Sequence, residues 1–220
     1  GPRVVWEQTC GGGYSGPAVA DGRVFIADRI PAGPNAPKPE NHDAVPGTER
    51  LLCLDAVTGR QLWDYRRGTP SMVSYGAGPR ATPTVHDGKV YFLGIHGRLA
   101  CLEAATGKVI WERELEKDYR CKAPLWGFSG HPVVFQDMLL CTAAGDGSCL
   151  IAFDLLTGKE RWKSLSAREP GYAPPLVCDI AGIPQIVQWT GDAVFGVNPL
   201  TGRELWNIPW SVKYGVSIAA

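Results

Sequence analysis

Aromatic and basic side chains recur in the segments that separate the repeating units of this chain. Each aromatic residue lies shortly before a predicted strand: Tyr14, Tyr75, Trp126, Tyr172 and Tyr214. Three basic residues occupy the same segments: Arg80, Lys122 and His131. A guanidinium held beside aromatic rings can bind a carboxylate through two parallel hydrogen bonds, so these residues are predicted to hold a ligand. The alternative is structural, with the rings packed between units and Arg80 bonded to backbone carbonyls.

A second candidate site is a stretch of possible metal ligands inside a proline-rich segment, residues 31–49. Glu40, His42 and Asp43 are spaced as ligands of a hard metal ion could be. The segment holds five prolines and almost no large apolar side chain. It cannot form a core of its own and is predicted to be an irregular flap. The alternative is that the three polar residues are simply solvated.

The elements that would position these residues are defined by a phrase that occurs four times. It consists of an apolar residue, then Asp, Asn or Glu, then Thr-Gly, a basic residue and, four residues after the Gly, a Trp, at residues 54–63, 102–111, 153–162 and 197–206. The glycines are 48, 51 and 44 residues apart, a period typical of solenoids, propellers and arrays. Short apolar runs joined by tight turns predict four antiparallel strands per period, and no segment shows the period of a long helix. The fold class is therefore predicted to be an all-β propeller of four-stranded blades.

The phrase also predicts how neighbouring blades are held together. Its Gly supplies the positive φ that the turn needs, and an Asp or Asn side chain can accept hydrogen bonds from the turn, which Glu103 is too long to do equally well. The Trp falls on the outer strand, where blades meet, and is predicted to pack between them. These docking roles are assigned to Asp55, Gly59, Trp63, Gly107, Trp111, Asp154, Gly158, Trp162, Gly202 and Trp206.

Composition argues against several function classes. The chain has 22 basic and 22 acidic residues and no basic run, which makes nucleic acid an improbable partner. Its longest apolar runs have the length of strands, not of a transmembrane helix. Seven cysteines without a Cys-x-x-Cys pair leave at least one thiol unpaired. Cys53 and Cys101 are predicted to be small buried hydrophobes, whereas Cys141 and Cys149 flank a hairpin and could form a disulfide across it.

The whole chain is predicted to be one propeller segment of residues 1–220. Its blades are placed at residues 14–67, 79–115, 129–166 and 173–208, with partial blades at 1–13 and 209–220 that imply further blades of a longer propeller. Antiparallel connectivity puts the Thr-Gly turns and the first hairpin of each blade on one side, the turn face. The connections between blades, and the loops between second and third strands, lie on the opposite side, the loop face. Because the loops there differ from blade to blade, binding is expected at the loop face.

The phrase at residues 152–162 resembles the tryptophan-docking motif of propellers of the pyrroloquinoline-quinone (PQQ) type, and residues 75–83 and 124–132 resemble a bacterial branch of that family. The resemblance implies a periplasmic or extracellular protein. It also implies one of two activities, which are a PQQ-dependent dehydrogenase that uses calcium and a non-catalytic scaffold such as the propeller lipoprotein of outer-membrane protein assembly. A planar Arg over aromatic rings would suit a quinone as well as a carboxylate.

The residues favour the scaffold over the dehydrogenase. The alcohol-oxidising members of the family share an adjacent Cys-Cys disulfide and a calcium held by Glu, Asn and Asp. No two cysteines are adjacent in this chain, and no residues can be matched to that calcium set. We therefore expect a binding or scaffold protein whose loop face holds a protein partner or a small ligand. A further alternative is a sugar-binding propeller in which Tyr75, Trp126 and Tyr172 stack against the sugar.

Overall fold

A computed structural model describes residues 1–33, 46–68, 73 and 78–217. Sixteen strands in this part of the chain form four separate four-stranded sheets, each paired in sequence order and antiparallel throughout. Blade 1 consists of β1 (Ala18–Ala20), β2 (Arg23–Pro31), β3 (Gly47–Asp55) and β4 (Gln61–Gly68). Blade 2 consists of β5 (Thr84–His86), β6 (Lys89–Leu93), β7 (Arg98–Glu103) and β8 (Val109–Glu114). Blade 3 consists of β9 (Val133–Phe135), β10 (Met138–Thr142), β11 (Leu150–Asp154) and β12 (Glu160–Ser164). Blade 4 consists of β13 (Leu176–Ile180), β14 (Ile183–Trp189), β15 (Ala193–Val197) and β16 (Glu204–Pro209).

The prediction of an all-β fold with four-stranded blades is confirmed. The single α-helix among the described residues is one turn long, α1 (Leu115–Asp118), and a 3₁₀ turn occupies Lys213–Gly215. No described helix is long and apolar enough to cross a membrane. The first strand of each blade is a sheet edge and directly follows a proline, at Pro17, Pro83, Pro132 and Pro175. A proline fits there because it has no N–H to offer to a ladder.

Two-residue turns close the first hairpin of each blade with left-handed backbone. Asp21 and Gly22 have φ of 48° and 70°, and Asp87 and Gly88 have φ of 45° and 67°. Blade 4 repeats the pattern with Ala181 at 55°, although an alanine is strained in that region. Turns of this kind match the right-handed twist of paired strands and therefore fix the register of each hairpin.

Each Thr-Gly turn is closed by the acidic or amide residue that opens it. Asp55 Oδ1 accepts the N–H groups of residues 57 and 58 at 3.0 and 2.8 Å, and Asp154 does the same for residues 156 and 157 at 3.1 and 2.8 Å. Asn198 makes the equivalent pair at 3.0 and 3.1 Å. The Thr hydroxyl of the turn also donates to Asp55 at 2.9 Å and to Asp154 at 2.8 Å, and Glu103 accepts the equivalent bond from Thr106 at 2.8 Å. Glu103 keeps this side-chain bond, but within the described turn its carboxylate accepts no bond from the backbone N–H groups, as its extra methylene predicts.

The tryptophans of the first three phrases reach into the turn of the following blade. Each indole N–H donates to a backbone carbonyl there: Trp63 to Ala104 at 3.1 Å, Trp111 to Leu155 at 3.0 Å and Trp162 to Pro199 at 3.2 Å. Each ring also lies against the turn glycine of that blade. A Cβ added at those glycines would come within 2.5 or 2.6 Å of the ring, at Gly107, Gly158 and Gly202. Glycine is therefore required both for its positive φ and for the space that the indole occupies.

Trp6 and Trp206 lie at the two ends of this series and differ from each other. Trp6 donates to the Ala56 carbonyl at 3.0 Å and packs on Gly59, so blade 1 receives an indole as the later blades do. Trp206 instead donates to Gln185 Oε1 at 2.7 Å within its own sheet and packs over Gly196.

Apolar clusters fill the spaces between successive blades. Cys53 and Cys101 are completely buried in them, as predicted for small hydrophobes. The disulfide that the sequence allowed between Cys141 and Cys149 does not form, and both thiols are free. Cys141 faces the cluster shared with blade 2, and Cys149 faces the cluster shared with blade 4. The two thiols therefore face opposite sides of the blade 3 sheet.

The proline-rich segment of blade 1 differs from the prediction at both ends. Strand β2 continues to Pro31 and β3 begins at Gly47, so residues 31 and 47–49 belong to the sheet. Residues 34–45 lie outside the described part of the chain. In the terminal segments, residues 1–13 and 210–217 contain no strand, and an isolated bridge joins Gly12 to Arg29.

Candidate ligand-binding face

The connections on the loop face are drawn together where the first strands of the blades meet. The Thr84 hydroxyl of β5 donates to the Pro132 carbonyl at 2.5 Å, and the Gly16 N–H donates to the Thr82 hydroxyl at 3.1 Å. The first bond joins blade 2 to blade 3, and the second joins blade 1 to blade 2, both beside the first strands. The residues just before those strands therefore come from different blades and share one region of the surface.

The loop-face cluster consists of two contacting pairs from four different connections, Tyr14 with Arg80 and Trp126 with Tyr172, and the two pairs are linked by the electrostatic interaction of Arg80 with Tyr172. The Arg80 guanidinium lies 5.1 Å from the centroid of the Tyr14 ring, within the range of a cation–π interaction. The ring centroids of Trp126 and Tyr172 are 5.4 Å apart at an interplanar angle of 38°, and the backbone N–H of Trp126 donates to the Tyr172 hydroxyl at 3.4 Å. Tyr14 is 61% exposed, whereas Tyr172 is buried. The cluster therefore has a fixed inner part and an open outer part.

Arg80 is held in place by its own connection. Its Nη1–H donates to the Gly78 carbonyl at 2.7 Å, and the neighbouring Pro79 carbonyl accepts the Tyr14 N–H at 2.8 Å. Partial burial lowers the pKa of Arg80, while the nearby hydroxyls of Tyr14 and Tyr172 and the Glu49 carboxylate act in the opposite direction. The guanidinium retains its charge at neutral pH because its ordinary pKa is far higher.

A buried carboxylate lies under this region, at the boundary of blades 1 and 2. Glu49 is 3% exposed and accepts the Ile95 N–H at 3.1 Å. Burial raises the pKa of Glu49, and the Ile95 N–H and the guanidinium groups of Arg29, Arg80 and Arg98 oppose that rise. Arg29 pairs with Glu49 across β2 and β3 and is 2% exposed. The carboxylate thus belongs to the scaffold that supports the loop face.

The ion pair of Asp28 and Arg50, next to Glu49, fixes the start of the chain to the sheet of blade 1. Asp28, 1% exposed, accepts two bonds from the Arg50 guanidinium at 2.9 and 2.6 Å and a third from the Gly11 N–H at 2.6 Å. Breaking a buried, hydrogen-bonded ion pair of this kind is strongly destabilising. Sequence reasoning missed Asp28, Arg29, Glu49 and Arg50. The signal was present, since Asp-Arg and Glu-Arg stand at mirrored positions on either side of the proline-rich segment.

The remaining predicted ligand-binding residues do not join the cluster within the described structure. Lys122 is exposed on the connection from blade 2 to blade 3, and His131 lies directly before Pro132 near the first strands. Partial burial of its imidazole lowers the pKa of His131. Tyr214 lies beside blade 4, 63% exposed, with the Lys213 ammonium 5.0 Å from its ring centroid. Tyr75 lies outside the described residues.

The candidate metal ligands Glu40, His42 and Asp43 also lie outside the described part of the chain. Within that part, no three His, Cys, Asp or Glu side chains come together in a way that could hold a metal ion. The described residues offer a fixed cation (Arg80), two rings in tilted contact (Trp126 and Tyr172) and an exposed phenol (Tyr14). Such groups can bind and orient a carboxylate or an aromatic ring.

Comparison with known proteins places these features in a family. A family model described as outer membrane protein assembly factor BamB matches residues 2–118 and, in a second overlapping match, residues 47–218. A search of curated proteins finds no match. The two family matches together extend over nearly the whole chain.

Three solved structures share the fold at low sequence identity. A europium-containing methanol dehydrogenase has a TM-score of 0.60 at 14% identity, over 90% of this chain and 42% of its own. BamB from Moraxella catarrhalis has a TM-score of 0.55 at 20% identity, over 94% of this chain and 55% of its own. A quinohemoprotein alcohol dehydrogenase from Pseudomonas putida HK5 has a TM-score of 0.56 at 18% identity, over 96% of this chain and 35% of its own. The chain therefore spans from about a third to just over half of the length of these proteins.

Proposed function

The chain belongs to the PQQ-like propeller family, and from that membership we propose that it is a non-catalytic scaffold outside the cytoplasm whose loop face holds a protein partner. The observation that carries the proposal is the convergence of Tyr14, Arg80, Trp126 and Tyr172 from four connections on one region of the loop face. Among the similar structures, the one named BamB belongs to a group described as an outer membrane protein assembly factor.

The chemistry of the cluster suits the anchor of a protein interface. Interface cores are enriched in Tyr, Trp and Arg, and the residues that contribute most binding energy are aromatic or Arg anchors with a fixed position. Arg80 is fixed by the Gly78 carbonyl, and Tyr172 is fixed by burial. Around them, exposed side chains such as Leu125, which is 47% exposed, supply contact area. An acidic side chain or a chain-terminal carboxylate of the partner would meet Arg80.

The second candidate is a PQQ-dependent dehydrogenase, and it is favoured by the placement of a guanidinium among aromatic rings. The described residues fit that cofactor poorly. The Trp126 and Tyr172 rings are already 5.4 Å apart, which leaves no slot for a planar cofactor between them. The buried carboxylate of Glu49 lies near Arg80, where an acidic cofactor would have to bind. The described residues also offer no cluster of three metal ligands for calcium.

Site-specific photo-crosslinking tests the scaffold proposal. A photoreactive residue at Leu125 on the loop face is compared with one at Leu156, which is 64% exposed on the turn face. With extracytoplasmic proteins as prey, the proposal predicts a discrete, saturable adduct at position 125 only, and its loss in Arg80→Ala. Equal labelling at both positions, or an adduct that persists in Arg80→Ala, would contradict the proposal.

A titration with PQQ, with and without calcium, separates the two candidates. The scaffold predicts no saturable change in cofactor absorbance or in tryptophan fluorescence. Saturable binding with one cofactor per chain, weakened by Arg80→Ala, would replace the scaffold with the dehydrogenase.

A further inference from the structure

A cavity of about 260 Å³ opens beside blade 4, and the proposed scaffold role does not use it. Its walls come from three segments, which are the connection after β12, the loop between β14 and β15, and the turn after β16. Backbone hydrogen bonds hold these segments together, from the Gly191 N–H to the Glu169 carbonyl at 2.9 Å and from the Val212 N–H to the Gly191 carbonyl at 3.0 Å. The cavity is therefore a built feature of the loop face and not a gap between independent loops.

Two glycines allow Glu169 to sit in the wall of this cavity. A Cβ on Gly215 would come within 2.5 Å of the Glu169 Cβ, and a Cβ on Gly191 within 3.0 Å of the same atom. Any other residue would push the glutamate out of place. Burial and the nearby carboxylate of Asp192 raise the pKa of Glu169. None of the described residues forms a hydrogen bond or ion pair with its carboxylate, which therefore has its acceptor positions to offer to a ligand.

One aromatic ring lines the cavity, and a second lies on the turn that follows β16. Tyr214 lines the cavity and is 63% exposed, and Trp210 is 57% exposed with its ring 5.9 Å from that of Trp189 in a T-shaped arrangement. Tyr214 also adopts φ of 59°, a left-handed conformation that disfavours every residue except Gly, Asn and Asp.

The charges around the cavity cancel. Arg168 donates to Asp192 Oδ1 through Nε and Nη2 at 2.9 and 2.6 Å. The Lys213 ammonium lies over the Tyr214 ring, and Glu169 supplies the second carboxylate. Arg168, Glu169 and Asp192 line the cavity, and Lys213 lies next to it. The two cations and two anions together leave no net charge, so the local field favours neither an anionic nor a cationic ligand. Donors and acceptors are both present, which suits a neutral ligand rich in hydroxyl groups.

We propose that this cavity is a binding site for a neutral sugar, with the Tyr214 ring as a flat apolar surface and Glu169, Asp192 and Arg168 as hydrogen-bonding groups. A pyranose ring has one apolar face for an aromatic ring and hydroxyls at its rim for polar side chains.

The site adjoins the loop-face cluster, since the Tyr172 N–H donates to the Ser217 carbonyl at 3.2 Å, and burial and the Glu169 carboxylate both raise the pKa of Tyr172. Glu169 and Tyr214 are nevertheless not members of that cluster, so variants at these two positions test the cavity separately. The site also uses different residues from the sugar site expected from the sequence, of which only Trp126 and Tyr172 are described.

The test is a calorimetric titration of the 220-residue chain with three neutral probes, cellohexaose, maltohexaose and the hexamer of N-acetylglucosamine. Tryptophan fluorescence serves as a second readout because Trp210 is exposed. We expect saturable binding of at least one probe. Loss of the Tyr214 ring should weaken it about tenfold, as expected for one stacking contact.

Three variants make the result decisive. Tyr214→Gly removes the ring and relieves the left-handed strain, so it should unfold at the same temperature as the wild type or higher while losing affinity. Glu169→Gln should weaken binding while leaving the fluorescence of the free protein unchanged. Ile208→Ala, a matched control that removes an apolar residue 55% exposed on β16, should bind as the wild type does. The proposal is overturned if none of the probes binds saturably, or if Tyr214→Gly and Ile208→Ala bind equally well.

Discussion

The turn face of this propeller segment repeats one set of contacts in successive blades, whereas the loop face does not. On the turn face, three tryptophans make the same hydrogen bond to the following blade and pack against the same glycine, and Trp6 does so for blade 1. On the loop face, each connection has its own sequence, yet side chains from four of them meet around Arg80 and Tyr172. Repetition therefore provides the stability of the fold, and divergence provides the groups that could bind a partner.

The largest effect is expected for Trp111→Ala on the turn face. Trp111 is 8% exposed and joins blade 2 to blade 3 through the Leu155 carbonyl. Removing a buried tryptophan from such a site should lower the free energy of unfolding by about 3–5 kcal/mol, measured by urea denaturation. Trp206→Ala is the matched control and should cost less, because Trp206 packs only on its own sheet. Equal losses in the two variants would show that contact with the next blade adds nothing.

The next effect separates backbone strain from steric conflict at the turn glycines. Gly158 has φ of 64°, and a Cβ there would come within 2.5 Å of the Trp111 ring. Gly158→Ala should therefore destabilise the protein by about 2–4 kcal/mol. Gly88 has φ of 67° with nothing within 4 Å of an added Cβ, so Gly88→Ala should cost only about 1 kcal/mol. Thermal unfolding of both variants measures the difference, and similar losses would leave the indole contact without an energetic role.

A smaller effect should appear in the acid stability of blade 3. The Arg161 guanidinium and the Thr157 hydroxyl and N–H lower the pKa of Asp154 to about 2. A pKa below the value in the unfolded chain stabilises the fold at higher pH, and this contribution disappears as the pH falls through about 2. Because the pair is solvent-screened, the contribution should be about 1 kcal/mol or less.

Asp154→Asn should remove this pH dependence and keep the turn, since Asn198 closes the equivalent turn of blade 4. Urea unfolding of the variant and the wild type at pH 5 and pH 2 measures this pH dependence of the free energy of unfolding. Arg161→Leu copies the Leu205 of blade 4 and should give an intermediate result. An unchanged pH dependence in Asp154→Asn would contradict the assigned role of Asp154.

The smallest effect on stability is expected on the loop face. Arg80→Ala removes a cation–π contact with an exposed ring and one hydrogen bond to its own connection. The free energy of unfolding should fall by about 1 kcal/mol or less. Arg80→Lys is the control, since it keeps the charge and loses the planar group. A loss as large as that of Trp111→Ala would make Arg80 a structural residue.

The turn face could be predicted from the sequence because its rules are local. A Thr-Gly turn, a residue that closes it and a Trp four positions later recur in fixed order, so each copy supports the interpretation of the others. The position of Trp206 could not be predicted in this way, since its phrase is the same and only the neighbour of its sheet differs. Cys141 and Cys149 show the same limit, because proximity along a hairpin does not determine which side of a sheet each thiol faces.

The loop face could be predicted only in part because its contacts join distant segments. The aromatic and basic residues near the strands were recognised, but the sequence did not show that Trp126 would pack on Tyr172 or that Tyr214 would line a different cavity. Glu49 and Arg29 were assigned to a flap or overlooked, although they face each other across extended strands. The structural role of a charged residue in a strand can be predicted only when the residues packed against it are known.

The central claim is that the turn face holds the fold and the loop face binds. The most direct measurement applies two assays, urea unfolding and the photo-crosslink at position 125, to Arg80→Ala. The account predicts that this variant keeps nearly the wild-type free energy of unfolding and loses the adduct. A variant that unfolds far more easily and yet retains the adduct would contradict it.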